Sequence, residues 1–394
     1  MGKTIAITPS WYWPVGVPRV LGVPPFHVHE MLVERFARHR PDDEAVVAAD
    51  GRFTARELFQ RVEEAAAALA ARAPRGEAVA LTAGRTTEGV VLLFAALRAG
   101  VPVVVVDPES DGPVPGQVAL ALADEAGAQR ASAFGVPVVR LADLAGPGEG
   151  TLPPSAAGMS DPVVGIASNG GVVWHSHQSL LAGAFSLGAF LGVASGRPWL
   201  STFTAGSWEG VYGITVPLLA QTTLALAEPG EPSLQAATRE GVGTIFTTLE
   251  SAVSATRDAK RDVKSIRGLL GSLVLPTPGL FDPDERRRVS RQFECPALTV
   301  FGATETGPIF AAHPSWYLDE SIGIPITNAH VVPVDPRSRR PLQTLWELVE
   351  SAMVTVWSPA LTVEPPEDRI VDGRFVTGVN ASSDANGMIY LLPD

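Results

Sequence analysis

The stretch "EGVVLLFAALRAGVPVVVVDP", residues 88–108, contains a predicted helix and a predicted strand joined at one glycine. Its first part is an apolar run that ends at Gly100, the residue type that most often terminates helices. Its second part, "VVVV" at 103–106, is apolar at every position and is terminated by Pro108. A strand of this kind is buried on both faces. The stretch therefore predicts a parallel sheet that helices cover on both sides.

The same alternation of helices and strands extends in both directions. Towards the amino terminus, apolar residues recur at the three- and four-residue spacing of a helix; they are Met31, Leu32, Phe36, Leu58, Val62, Ala66 and Leu69. Towards the carboxyl terminus, helical runs separate the predicted strands "VVGIAS", "TTLALA", "GTIFTT", "SLVLP" and "ALTVFG". After about residue 320 the pattern changes to β-type segments with Pro and Gly, including "AHVVPVD", "LWELVES", "AMVTVW" and "GMIYLLPD". These segments predict a small sheet or barrel.

The resulting fold class is α/β, with two mostly parallel sheets and a small barrel-like β unit. We expect an N-terminal extension at 1–25, one α/β subdomain at 26–158, a second at 159–320 and the β subdomain at 321–394. The boundary follows from "AGPGEGTLPPSAAG" at 145–158, which lacks periodicity and predicts a linker or surface crossing.

Composition narrows the function classes. The chain has 394 residues, 46% of them hydrophobic and 18% charged, and no apolar run approaches the ~20 residues of a membrane helix. The amino terminus lacks a signal-peptide pattern, so we expect a cytoplasmic protein without a membrane partner. A net charge of −12 without a basic stripe argues against nucleic acid. Cys295 is the one cysteine, which excludes a disulfide framework or a multi-cysteine zinc site.

Five segments, in this order, resemble motifs of the adenylate-forming superfamily, which includes acyl-CoA synthetases, peptide-synthetase adenylation domains and luciferases. They are "RPDDEAVVAADGRFTARELFQRVEEAAAAL" (40–69), "VVLLFAALRAGVPVVVVDPES" (90–110), "TVFGATETG" (299–307), "SIGIPITNAHVVPVD" (321–335) and "DGRFVTGVNASSDANGMIYLLPD" (372–394). The resemblance covers roughly residues 26–394, the large N-terminal portion of such proteins. It implies an acyl-CoA-synthetase-like α/β fold and an ancestry in ATP-dependent ligation.

The resemblance also assigns roles within the motif at 301–305. Forming an acyl adenylate brings a carboxylate to the α-phosphorus of ATP, which requires a metal and hydrogen-bond donors to neutralise charge. The resemblance makes Phe301 a stacking surface for adenine and Gly302 a position of close approach. Beyond Ala303, it makes Thr304 a phosphate donor and Glu305 a magnesium ligand. The alternative is that this segment is only the end of a core strand and a polar turn.

The phosphate loop departs from the superfamily pattern. Where such proteins carry a longer loop rich in hydroxyls with one lysine, this chain has "ASNGGVVWHSH" at 167–177, about five residues shorter and without the lysine. A tight anion-binding turn remains conceivable from Ser168, Asn169, Gly170 and Gly171, but these residues supply no cation. We therefore expect ATP to bind weakly or not at all.

Other departures support the same expectation. Val379 stands where the resemblance places an aspartate that holds the ribose hydroxyls, and valine accepts no hydrogen bond. Thr204 stands where amino-acid-activating members carry an aspartate for the α-ammonium group. The sequence ends at Asp394, before the mobile C-terminal domain of the superfamily, which we expect to be absent. Together these changes predict that standard adenylation is lost.

The altered loop introduces Trp174, His175 and His177. If the backbone is extended, both histidines lie on one face. His175 is either a general acid or base beside an acyl pocket or a solvated loop residue; His177 is a catalytic partner or a packing residue at a helix start. No metal site is predicted, although His27, His29 or Glu305 could supply a third ligand. Trp174 is expected to be a core or wall residue, and the other candidate walls of the pocket are Thr204, Gly206, Ser207, Trp208, Gly271 and Ser272.

Three functions remain open. The protein could act without ATP, in a biosynthetic pathway, on an acyl or aryl group that is free or carried as a thioester on CoA or on the phosphopantetheine arm of an acyl or peptidyl carrier protein. It could be a non-catalytic scaffold, or a residual ligase that needs a C-terminal domain in trans. The "RRR" run at 286–288 is expected on a solvated helix, with docking of an acidic carrier protein as the alternative.

Overall fold

The computed structural model describes residues 13–74, 76–110, 116–144, 152–168, 171–228, 233–258, 270–277, 279–342 and 349–393. The strands are β1 (Glu44–Ala48), β2 (Gly51–Thr54), β3 (Ala78–Thr82), β4 (Val103–Val106), β5 (Val118–Ala123), β6 (Val138–Val139), β7 (Pro162–Ser168), β8 (Gly171–Ser176), β9 (Trp199–Ser201), β10 (Leu224–Leu226), β11 (Thr244–Phe246), β12 (Ser272–Thr277), β13 (Ala297–Ala303), β14 (Gly307–Ala311), β15 (Ile324–Pro325), β16 (His330–Val334), β17 (Val349–Trp357), β18 (Ile370–Val371), β19 (Arg374–Ser383) and β20 (Ile389–Leu391). The α-helices are α1 (Arg35–His39, after a π-helical turn at Glu30–Glu34), α2 (Ala55–Arg72), α3 (Thr87–Ala99), α4 (Ala128–Ser132), α5 (His177–Leu191), α6 (Trp208–Leu219), α7 (Ser233–Glu240), α8 (Leu249–Asp258) and α9 (Pro283–Phe293).

The strands form three sheets, as the sequence predicts. A six-stranded sheet has the order β6-β5-β3-β4-β7-β8 and is parallel except at β8. A nine-stranded sheet has the order β15-β14-β13-β12-β11-β9-β10-β1-β2 and is parallel from β13 to β1. A five-stranded antiparallel sheet contains β16 to β20. The predicted α/β fold class with a small β unit is confirmed.

Local sequence signals explain the central elements. Helix α3 begins after Thr86, whose side chain accepts a hydrogen bond from Gly89 N, and ends at Gly100, which has a left-handed φ of 68°. All four residues of β4 are buried, which matches their uninterrupted β-branched sequence.

The two large sheets exchange hairpins. The β1–β2 hairpin joins the nine-stranded sheet because β1 pairs with β10, and the β7–β8 hairpin joins the six-stranded sheet because β7 pairs with β4. Sheet membership therefore does not follow the chain division at residue 158, and the subdomain boundaries stay a prediction. The linker predicted at 145–158 falls partly outside the described residues, which resume at Leu152.

One apolar cluster matters for the site. It lies where β13 and β14 meet the small sheet, and we call it the β13–β19 cluster; its members are Phe301, Ile309, Phe310, Ile322, Val331, Val354, Val356, Phe375, Ala381 and Ile389.

The predicted solvated arginine run is only partly exposed. Arg286 is fully buried on α9, where its Nε donates to Ala297 O at 2.7 Å and its Nη1 to Ser321 O at 2.8 Å. Arg287 pairs with Asp319 at 2.9 Å. These contacts correct the expectation of a free basic surface and weaken the carrier-docking alternative. In the described part of the chain, no helix has the length and apolarity to cross a bilayer.

Candidate functional site

The candidate site lies where the carboxyl edges of the two large sheets meet. Arg85, after β3, donates from Nε to Ala227 O at 2.7 Å, after β10, and from Nη1 to Thr202 O at 2.9 Å, after β9. Gly206 packs against the end of β4 so closely that an added Cβ would lie 2.1 Å from Asp107 N. Crevices at the carboxyl ends of parallel strands are the usual ligand sites of such sheets.

A tight turn between β13 and β14 presents Thr304 and Glu305. Thr306 Oγ1 accepts a hydrogen bond from Ala303 N at 3.1 Å and donates to Gly307 O at 2.8 Å. A Cβ on Gly302 would lie 2.4 Å from Gly307 O, so its close approach is to the backbone of its own hairpin. The sequence of this turn thus has a structural reason as well as the nucleotide role implied by resemblance.

The shortened phosphate loop is a β-hairpin. Ser168 and Gly171 pair across β7 and β8, Ser168 Oγ donates to Gly171 O at 3.2 Å, and Gly171 has a φ of +124° that favours glycine. Asn169 and Gly170 lie outside the described residues. Anion binding by this turn stays a prediction.

His175 connects this hairpin to the β13–β14 turn. Its Nε2 lies 2.7 Å from Thr304 O, which can only accept, so Nε2 carries the proton. Its Nδ1 faces Ser179 Oγ at 3.5 Å, and the side chain is 1% exposed. Burial lowers the pKa of His175 and keeps the ring neutral. The 1% exposure contradicts the alternative of a solvated loop residue, and the general acid or base role of His175 stays a prediction.

His177 lies in a different environment from His175. The strand ends at Ser176, which caps α5, and His177 Nδ1 accepts a hydrogen bond from Val28 N at 3.2 Å. Its ring centroid lies 4.7 Å from that of His27 and 6.5 Å from that of His29. The two predicted catalytic histidines therefore do not share a face, because the chain turns into a helix between them.

Two of these three histidines, His29 and His177, are buried, and His27 is partly exposed. His29 is 5% exposed, although the sequence suggests a solvated helix start. Burial, reinforced by the neighbouring imidazoles, lowers the pKa of His29 to about 3 and that of His177 to about 4. Among the described residues, no group of three or more His, Cys, Asp or Glu side chains is arranged to hold a metal ion.

Arg369 is a functional candidate that the sequence does not reveal. Its Nη1 lies 2.6 Å from Glu305 Oε1, its Nε donates to Val376 O at 3.2 Å, and its Nη2 donates to Thr377 O at 2.9 Å. Its guanidinium carbon lies 4.3 Å from the ring centroid of Phe375. Arg369 occurs in "PPEDRIV", a stretch without periodicity or motif, so only the folded chain brings it to Glu305.

The segment before Arg369 also closes on the site. The carbonyl oxygen of Trp174 accepts hydrogen bonds from Thr362 Oγ1 at 2.6 Å and Val363 N at 2.9 Å. Thr362 N donates to Glu305 O at 2.7 Å. The small sheet is thereby fastened to both the β7–β8 hairpin and the β13–β14 turn.

The predicted pocket walls divide into two groups. Thr204, Gly206, Ser207 and Trp208 follow the carboxyl end of β9, where Ser207 caps α6 by accepting from Gly210 N at 3.1 Å. Gly271 and Ser272 instead lie at the amino end of β12. Gly271 and Ser272 line a separate cavity of about 410 Å³ together with Trp199, Thr222 and Thr244. The expectation that they border the same pocket is wrong, because their strand runs from that edge towards the site.

Tyr212 is a second residue that the sequence does not single out. It is 1% exposed on α6, and its hydroxyl has no hydrogen-bond partner among the described residues. Added Cβ atoms would lie 2.2 Å from this hydroxyl at Gly183 and 2.6 Å from it at Gly307. The Tyr212 ring therefore fits between α5 and the β13–β14 turn only because both neighbouring positions are glycine.

Comparison with known proteins identifies the fold. A family model described as AMP-binding enzyme matches residues 33–124. Among solved structures, unliganded o-succinylbenzoate CoA synthetase from Bacillus subtilis is 18% identical with a TM-score of 0.81, covering 94% of this chain and 79% of that one. VinN is 21% identical with a TM-score of 0.78, covering 94% and 99%. The chain shares the fold of these proteins over nearly its whole length.

A further similar structure belongs to a longer chain. The nonribosomal peptide synthetase FmoA3 is 22% identical with a TM-score of 0.81, covering 97% of this chain and 44% of that one. Curated protein sequences give no match.

The two positions that resemblance assigns to the nucleoside are apolar, one of them buried and the other partly buried. Phe301 is 2% exposed, belongs to the β13–β19 cluster and lies 6.0 Å from Phe310 between ring centroids. Val379 packs against the same cluster from β19. Phe301 is thus covered by its neighbours in this structure, and the adenine-stacking role that the resemblance gives it stays a prediction.

Proposed function

We propose that this protein binds an acyl or aryl group, carried as a thioester of CoA or of a carrier protein's pantetheine arm, and does not form an adenylate. The observation that carries the proposal is that Phe301 and Val379, the positions that resemblance assigns to adenine and ribose, belong to or pack on one apolar cluster.

The energetic argument concerns what ATP would lose. Val379 cannot accept the ribose hydroxyls, and the β7–β8 hairpin has no lysine for the phosphates. A hydrogen bond to a charged group contributes about 1.5–3 kcal/mol, and each ~1.4 kcal/mol changes a dissociation constant tenfold. Losing two such contacts lowers the affinity for ATP by orders of magnitude. A thioester is already activated, so these losses cost it nothing.

The acyl part of the proposal is supported by the neighbouring structures and by the wall at the carboxyl end of β9. The Bacillus subtilis synthetase is described as bound with a product analogue, OSB-NCoA, and VinN as a complex with L-aspartate. In this chain the corresponding edge presents Phe203, Ala205 and the 5% exposed ring of Trp208. These side chains suit an apolar or aromatic group.

Thermal-shift measurements test the proposal. We expect the melting temperature with ATP or AMP and Mg²⁺ to equal the melting temperature with Mg²⁺ alone. In a panel of acyl and aryl thioesters of CoA and pantetheine, we expect at least one to raise it by a few degrees, since a ligand at about 100 times its dissociation constant adds about 2.7 kcal/mol. The shift should be lost in Trp208→Ala and kept in Ser272→Ala, a variant at the opposite strand end.

Two results would overturn the proposal. Release of pyrophosphate from ATP by the isolated protein would restore the ligase function. A panel in which no thioester changes the melting temperature, while the protein remains folded, would remove the ligand-binding function.

A further inference from the structure

The adenylate-forming fold implies a magnesium ion at Glu305, but the residues around Glu305 do not fit one. Glu305 Oε1 accepts a hydrogen bond from Arg369 Nη1 at 2.6 Å. We propose that Arg369 is a built-in counter-ion that takes the place of the divalent cation, so that this end of the cleft is electrically neutral and receives an uncharged carbonyl group of the ligand. The choice of ligand rests on the proposed function; the exclusion of the metal does not.

Arg369 is held in place independently of Glu305. Two backbone carbonyls of β19, Val376 O and Thr377 O, accept hydrogen bonds from Nε and Nη2, and the Phe375 ring lies against the guanidinium. The side chains of Arg369 and Glu305 are 32% and 21% exposed, so the pair is half-buried. A preorganised guanidinium in such a pair loses little freedom when it binds a carboxylate.

Magnesium would have to displace this arrangement. The ion requires near-octahedral oxygen ligands at about 2.0–2.1 Å, usually one or two carboxylates with water and phosphate oxygens. Here Arg369 already occupies a Glu305 oxygen, and the described residues provide no cluster of carboxylates and histidines to compensate. A metal ion would approach a carboxylate that is already neutralised by a fixed cation.

The charge balance also selects the ligand. The charges of Glu305 and Arg369 cancel, and the β7–β8 hairpin contributes no lysine. A triphosphate therefore finds no net positive charge here. Arginine has five N–H donors, and the bonds to Glu305, Val376 and Thr377 use three of them. The remaining donors suit a neutral acceptor, such as the carbonyl of a thioester or of a pantetheine amide.

Mn²⁺ binding, followed by electron paramagnetic resonance of the free ion, tests the counter-ion directly. We expect wild type and Glu305→Gln to bind Mn²⁺ equally, through the acidic surface only. Arg369→Gln should bind one Mn²⁺ ion more tightly than wild type, because it frees the Glu305 carboxylate, with water supplying the other metal ligands. Arg369→Lys, which keeps the cation, should resemble wild type, and the double variant Glu305→Gln with Arg369→Gln should lose the gained site.

The outcomes separate this inference from the proposed function. A wild-type Mn²⁺ site that Glu305→Gln abolishes overturns the inference, and so does a folded Arg369→Gln protein that gains no site. If Arg369→Gln does not fold, the wild-type and Glu305→Gln comparison still decides. If the Mn²⁺ results are as expected but no thioester binds wild type, the counter-ion stands and the ligand function fails.

Discussion

Replacing Gly183 with alanine is expected to lower the free energy of unfolding by about 3 kcal/mol, the upper part of the range for overpacked cores. The new Cβ would lie 2.2 Å from the Tyr212 hydroxyl and 2.5 Å from two atoms of its ring. Tyr212 is 1% exposed and has the Gly307 backbone on its other side, so it has no room to retreat. Urea denaturation monitored by tryptophan fluorescence measures the change.

A double-mutant cycle provides the control. In a Tyr212→Leu background the side chain is shorter, so Gly183→Ala should cost less than half as much as in wild type. Tyr212→Phe keeps the ring contacts and should give no such rescue, although it removes a buried hydroxyl without a described partner. If the changes in the free energy of unfolding caused by Gly183→Ala and Tyr212→Leu were additive, the predicted steric clash between the two residues would be refuted.

The free energy of unfolding is also expected to fall steeply as pH drops from about 6.5 towards 4. The pKa of His177 is lowered to about 4 and that of His29 to about 3, whereas both titrate near 6.5 when unfolded. Between these values the unfolded chain binds more protons, so stability is fully present above pH 6.5 and is lost as pH falls. At about 1.4 kcal/mol per pKa unit, each histidine contributes roughly 3 kcal/mol or more.

Urea titrations at several pH values between 7 and 4.5 measure this slope. Substituting His29→Leu together with His177→Asn should flatten it, because asparagine keeps an acceptor for Val28 N but does not titrate. The groups that also face the pair are His27, Arg98 and Asp161. His39→Asn, at an exposed histidine on α1, should leave the slope unchanged. An unaltered slope in the double variant would refute the assignment.

Much of the fold is predictable because its signals are local. The apolar run of α3, the left-handed Gly100 and the buried β4 strand each follow from neighbouring residues. The placement of the β1–β2 and β7–β8 hairpins is not predictable in this way. Their partners, β10 and β4, are chosen by contacts distant in sequence, and nothing in "AVVAAD" or "VVGIAS" specifies which sheet will receive them.

The site is predictable only in part. The motif at 301–305 indicates the correct edge of the sheet, but it does not reveal that Phe301 is covered by the small sheet. The spacing of His175 and His177 suggests one face, yet the Ser176 cap redirects the chain. Arg369 reaches Glu305 through a tertiary contact for which the sequence carries no pattern. For Gly271 and Ser272 the segment "SLVLP" predicts the strand, but it does not show that these residues lie at the strand end remote from the site.

The exchanged hairpins have a consequence for how the polypeptide is made. Val46 cannot pair with Leu224 until most of the intervening chain has been synthesised. One edge of the β1–β2 hairpin therefore has unpaired backbone hydrogen-bonding groups during synthesis. The nine-stranded sheet cannot be completed until the second half of the chain has been made, whereas all strands of the six-stranded sheet lie within residues 78–176. Completion of the nine-stranded sheet is therefore a late step that requires both halves of the chain.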